Sequence, residues 1–117
     1  MPVSISQERF EELVGAAVDE IPDKLFEQID NCIWMVEDEP PADDPELLGF
    51  YDGIPLSERG SWYAGVVPDR IVIYRGPLQR MCEDEEDLAE EIRITVWHEI
   101  AHYFGIEDDE LDELGYA

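Results

Sequence analysis

Three residues near the end of the sequence have the types and spacing of a metal-dependent hydrolytic site. His98, Glu99 and His102 form the pattern His-Glu-x-x-His, and the chain contains no other histidine. Residues four apart on a helix project from one face, so both imidazoles can reach a single metal ion. Glu99 points to the flank of that face, where a carboxylate can hold a water molecule without binding the metal. The spacing predicts a zinc site with a general base beside it.

A catalytic zinc ion usually has three protein ligands, and the helix supplies only two of them. Gly105 is well placed to end the helix in a left-handed turn, and Asp108 follows three residues later. The whole stretch then has the pattern His-Glu-x-x-His-x-x-Gly-x-x-Asp. On reach alone, four other carboxylates compete with Asp108 for this position: Glu107, Asp109, Glu110 and Asp112.

The motif lies in a predicted helix with wide apolar cover. Asp84 to Asp87 supply carboxylates for its first turn, and the run from Leu88 to Phe104 contains no glycine or proline. Two adjacent apolar stripes follow the helical period: Ile92, Val96, Ile100 and Tyr103 in one, and Ala89, Trp97, Ala101 and Phe104 in the other. This cover predicts a central helix packed against a sheet and other helices. It disfavours the alternative, a pair of histidines on a solvated face.

Other elements are predicted from the same kinds of pattern. Ser4 and Gln7 have capping-box spacing before a helix that Pro22 ends, and a short helical stretch follows it. The apolar positions of these two stretches are Phe10, Leu13, Val14, Ala17, Val18 and Ile21, then Leu25, Phe26 and Ile29. The predicted strands are Cys32–Val36, Ser61–Val66 and Arg70–Tyr74, and the acidic, proline-containing stretch 37–45 is a predicted loop.

Length and charge narrow the class of protein. A chain of 117 residues is expected to form one domain. Its 31 acidic residues against 7 basic ones give a net charge of -24, which repels nucleic acid and anionic membranes. No stretch reaches membrane-spanning length, and the N-terminal residues do not have the pattern of a signal peptide. We therefore expect a cytoplasmic protein in which Cys32 and Cys82 stay reduced and half-buried.

The extended motif resembles that of the zincin metallopeptidases in which aspartate replaces the third histidine. The chain as a whole is similar to the small bacterial zincin-like metallopeptidases called minimal zincins. The similarity covers residues 47–56 and 68–78, the metal motif and the ending Leu114-Gly115-Tyr116. The chain departs from the larger metzincins, because all three of its methionines precede His98 and no methionine turn follows the motif.

This resemblance implies both a fold and a site. The fold is one small α+β zincin-like domain over residues 1–117, with a small mixed sheet packed against the motif helix and N-terminal helices. One zinc ion per chain would be held by His98, His102 and Asp108. Glu99 would act as general base in the hydrolysis of a peptide or protein substrate. The residue types in the sequence offer five candidates for a further donor to the oxyanion, although each is expected to be structural rather than catalytic: Tyr51, Arg59, Arg75, Tyr103 and Tyr116.

The substrate backbone of a zincin lies along an exposed sheet edge, for which Ser61–Val66 and Arg70–Tyr74 are the candidates.

Two functions other than peptide hydrolysis are also considered for this sequence. One is a zinc-binding module without peptidase activity, and the other is an acidic interaction domain that holds no zinc. Glu99 favours the enzyme over the binding module, because a purely structural metal site needs no carboxylate at that position.

Overall fold

The computed structural model describes residues 3–29, 32–54, 59–60 and 68–105. The predicted strand Ser61–Val66 and the acidic tail beyond Gly105 lie outside these residues. Within the described ranges the elements, in chain order, are helices α1 (Gln7–Asp19) and α2 (Asp23–Phe26), strands β1 (Cys32–Glu37), β2 (Gly49–Asp52) and β3 (Asp69–Tyr74), and helices α3 (Arg75–Met81) and α4 (Glu85–Tyr103). This mixture of helices and sheet is the α+β class that the sequence predicts.

The sheet is mixed and has β3 at its centre, in the order β1-β3-β2. β1 is parallel to β3, with Cys32 opposite Asp69, while β2 is antiparallel to it, with Gly49 opposite Ile73. Successive side chains of a strand point to opposite faces, and β3 is buried from Ile71 to Tyr74, so both faces of this strand are covered. The prediction that Arg70–Tyr74 could be an exposed edge is therefore wrong, because this strand has a neighbour on each side.

Helix α1 packs its apolar stripe on α4. Phe10, Val14 and Ala17 are buried, as their helical spacing predicts. The cap differs from the sequence prediction, since the side chain of Ser6, rather than Ser4, accepts a hydrogen bond from the Arg9 amide at 3.1 Å. The Arg9 guanidinium also donates to Glu85 at 2.8 Å, which joins the first turns of α1 and α4.

Helix α4 is the element on which the rest of the core packs. It contacts α1, α3, β2 and β3, and Leu88, Ile92, Val96, Ile100 and Tyr103 are almost fully buried along it. Asp84 caps its start by accepting from the Asp87 amide at 2.8 Å, and Gly105 follows its end at φ 87°. The prediction of a central helix ended by a left-handed glycine is confirmed. Among the described helices, none has the length and apolarity needed to cross a membrane.

Candidate metal centre

The two histidines of the motif lie side by side on α4. Their ring centres are 4.8 Å apart, the ring planes meet at 72°, and both side chains are half-buried. Two imidazoles that bind one tetrahedral zinc ion at about 2.0–2.1 Å place their ring centres roughly 5 Å apart. The observed separation is close to this value. The separation of the two rings along the helix is therefore the one that a shared ion requires.

Glu99 is buried beside this pair. Its side chain is 6% exposed, which makes it one of few carboxylates removed from water in the described part of the chain. It nevertheless lines a cavity of about 220 Å³ that is also lined by His98, so a small molecule in the cavity can reach it. A larger cavity of about 450 Å³ lies beyond Leu48, against α3, and its described lining includes neither motif histidine nor Glu99.

The close approach of β2 to α4 buries Glu99, and it depends on a glycine. A Cβ atom at Gly49 would lie 2.7 Å from Cγ2 of Thr95 and 3.3 Å from Cγ of Glu99. The first distance is shorter than any normal van der Waals contact. A larger residue at position 49 would force the strand away from the wall of the site.

We expect Gly49→Ala to lower the free energy of unfolding by about 1–3 kcal/mol, because the added methyl group overpacks the junction of strand and helix. Urea unfolding followed by circular dichroism measures the change. Gly15→Ala is the matched control, since nothing lies within 4 Å of a Cβ there and Gly15 is inside α1. That variant should gain about 0.5–1 kcal/mol. A Gly49→Ala protein as stable as the parent would show that the strand tolerates displacement.

The end of α4 is held by a buried polar network centred on Asp69. This carboxylate is 1% exposed and accepts hydrogen bonds from the Tyr51 hydroxyl, the Ile54 amide at 3.2 Å and the Arg59 guanidinium at 2.6 Å. The same guanidinium donates to the Tyr103 hydroxyl at 3.1 Å and lies 4.8 Å from the centre of the Tyr103 ring. Tyr103 directly follows His102, so the network links the sheet to the end of the helix that carries the motif.

This network includes three of the five candidates for an oxyanion donor, and in it they have the structural role that the sequence favours for them. Burial, followed by the hydrogen bond to Asp69, raises the pKa of Tyr51 well above its ordinary value, so its hydroxyl stays protonated as a donor to Asp69. Arg59 and Tyr103 contact each other within the same network. Arg75 forms an ion pair with Asp38 at 3.4 Å, and Tyr116 lies outside the described residues.

Neither cysteine forms a disulfide, as predicted. Cys82 is buried rather than half-buried, and Cys32 is partly buried at the start of β1. Burial is the main reason that the pKa of Cys32 rises to about 11, with a further contribution from the charge of Asp69. Burial also raises the pKa of Cys82. Both thiols therefore remain protonated near neutral pH, the form that neither attacks substrates nor binds metals readily.

The third metal ligand predicted from the sequence, Asp108, lies outside the described residues. Within residues 3–29, 32–54, 59–60 and 68–105, no three His, Cys, Asp or Glu side chains form a group that could hold a metal ion. The structure thus places two of the three predicted ligands together. Helix α4 ends at Tyr103, and Gly105 is the last residue described before Asp108.

A helix carrying His-Glu-x-x-His, packed against a mixed sheet, defines the zincin class of proteins. The family model for zincin-like metallopeptidases matches residues 29–116, well over half of the chain. The chain therefore belongs to the zincin-like metallopeptidase family, as its sequence motifs predict.

Among solved structures, the chain is similar to a conserved hypothetical protein from Thermus thermophilus. The TM-score is 0.59 at 24% identity, and the similarity covers 94% of this chain and 97% of that one. At this identity the likeness concerns the fold alone, and it extends over almost the whole of both chains. No curated protein matches the chain.

Proposed function

We propose that this protein is a zinc-dependent peptidase with one zinc ion per chain, held by His98, His102 and Asp108. The observation that carries the proposal is the position of Glu99. A buried carboxylate next to two neighbouring imidazoles, at the wall of a cavity, is what hydrolysis requires and what a structural metal site does not. Membership of the zincin-like metallopeptidase family supports the same function.

The proposed zinc ion and Glu99 have different roles in peptide hydrolysis. A zinc ion at this site supplies Lewis acidity, which lowers the pKa of water and polarises a peptide carbonyl. The Glu99 carboxylate accepts the proton of the attacking water and then passes it to the leaving nitrogen. Thr95, one turn earlier, is buried as Glu99 is, and both side chains lie close to Gly49 of β2.

The first test is the metal content of protein purified without added metal. We expect one zinc ion per chain by elemental analysis, and we expect a chelator to remove it. His98→Ala and His102→Ala should each weaken zinc binding by at least roughly 10²-fold, since even outer-shell changes cost 10- to 100-fold. Protein that lacks zinc and takes up none at micromolar concentrations would exclude the proposed function.

The same measurement assigns the third ligand. We expect Asp108→Ala to lose most of the zinc affinity, as the histidine variants do. Glu107→Ala and Asp109→Ala are the matched controls, because both remove one carboxylate from the same segment, and they should bind zinc nearly as the parent does. Unchanged affinity in Asp108→Ala would refute its role as ligand and direct the search to Asp109 and Asp112.

A further inference from the structure

The cavity beside Glu99 extends along α4, away from the histidines. Its helical wall runs from Glu99 and His98 through Ile94 to Glu91. These residues recur at intervals of three or four, so they lie on one side of the helix over about two turns, or roughly 10 Å. The cavity is thus a short trough with the proposed general base at one end and a second carboxylate at the other.

The walls between these two ends are mainly apolar. Leu47 and Leu48 lie on the strand side and Ile94 on the helix side, and the Ile94 side chain is 44% exposed. Binding sites for whole small molecules usually measure about 300–1,000 Å³. A volume of about 220 Å³ is too small for such a ligand and suits one side chain of a longer one.

The carboxylate of Glu91 has no cationic partner within the described chain. All seven Lys and Arg residues lie in the described part, and none of the ion pairs found there includes Glu91. The neighbouring Glu90, by contrast, pairs with Arg93. A carboxylate at the end of an apolar trough favours an occupant with a long aliphatic stem and a positive end.

We propose that this trough binds a lysine or arginine side chain of the substrate, next to the bond to be cleaved, and that Glu91 determines this specificity. The aliphatic stem would pack between Leu47 and Ile94, and the charged end would pair with the Glu91 carboxylate. The net charge of -24 favours the approach of basic peptides to the same region. This inference rests on the proposed peptidase function.

The test uses two alanine pentapeptides blocked at both ends, one with lysine and one with norleucine at the centre. Norleucine keeps the aliphatic stem and lacks the ammonium group. We expect the zinc-loaded protein to cleave the lysine peptide with a kcat/KM at least roughly tenfold higher, the usual effect of a hydrogen bond to a charged group. Mass spectrometry of the products locates the bond beside the lysine.

Glu91→Gln should abolish the preference for lysine, whereas Glu90→Gln, next to it and outside the described lining of the trough, should keep it. Equal cleavage of both peptides by the parent, or an unchanged preference in Glu91→Gln, would overturn the specificity and leave the peptidase function intact. If neither peptide is cleaved, calorimetry on zinc-loaded protein measures the binding of each peptide and tests the trough directly. Glu91-dependent binding of the lysine peptide alone would support the trough, and binding of neither would overturn it. Absence of zinc uptake would instead overturn the peptidase function.

Discussion

Replacing Glu99 with glutamine should abolish nearly all peptide hydrolysis while zinc stays bound. The glutamine side chain keeps the size that fits the junction between Gly49 and Thr95, but its amide cannot accept a proton from water. General bases contribute roughly 10²- to 10⁴-fold to the rates of such reactions, and we expect kcat/KM to fall by at least that factor. The zinc content should remain one ion per chain, because Glu99 is not among the proposed ligands.

Two measurements on the same preparations make this result decisive. Elemental analysis gives the zinc content, and cleavage of the lysine pentapeptide gives kcat/KM. Glu86→Gln is the matched control, since Glu86 is an exposed residue in the first turn of the same helix. A Glu99→Gln variant that cleaves the peptide at the parent rate would show that another group is the base. Loss of zinc together with activity would show that Glu99 supports the metal instead.

The second large effect concerns stability. We expect Asp69→Asn to lower the free energy of unfolding by about 3 kcal/mol or more, the usual result of breaking a buried ion pair from one side. The Arg59 side chain is 8% exposed and lies 2.6 Å from the Asp69 carboxylate. With asparagine at position 69, the buried guanidinium loses its ion pair with the Asp69 carboxylate, and the Tyr51 hydroxyl faces a weaker acceptor.

The chain offers a close control for this effect. Asp52 on β2 also pairs with an arginine, Arg70, at 2.8 Å, but both side chains are about half exposed to water. Asp52→Asn should therefore change the unfolding midpoint in urea very little. Equal midpoints for Asp69→Asn and the parent would show that the network contributes nothing to stability. Because Tyr103 links Asp69 to His102, weaker zinc binding in folded Asp69→Asn protein would show that the network also positions the site.

The parts of the site that lie on one helix could be predicted from the sequence. The spacing of His98 and His102 needs only the period of a helix, and the apolar stripes and Gly105 set where that helix packs and ends. These features depend only on residues close together in the chain, so the structure agrees with the prediction. Family membership was also predictable, because the motif and segments 47–56 and 68–78 carry the resemblance.

The parts that depend on long-range contacts were not predictable in this way. β2 has two glycines in or beside it, which weaken any strand pattern, yet Gly49 is there because α4 passes too close for a side chain. Helix α3 begins with Arg75-Gly76-Pro77, which resembles a turn, although proline is tolerated in the first turn of a helix. Asp69 was one acidic residue among 31, and only the packing of Tyr51 and Arg59 around it distinguishes it.

Helix α4 comes after every other described element in the chain, yet α1, α3, β2 and β3 all pack on it. A ribosome makes the chain from its N-terminus, so the apolar faces of α1 and of the sheet emerge before the helix that covers them. Until residues 85–103 leave the exit tunnel, these faces lack the helix that packs on them in the folded protein. The nascent chain therefore exposes apolar surface until late in its synthesis. The core and the helix that carries His98 and His102 form in the same late step.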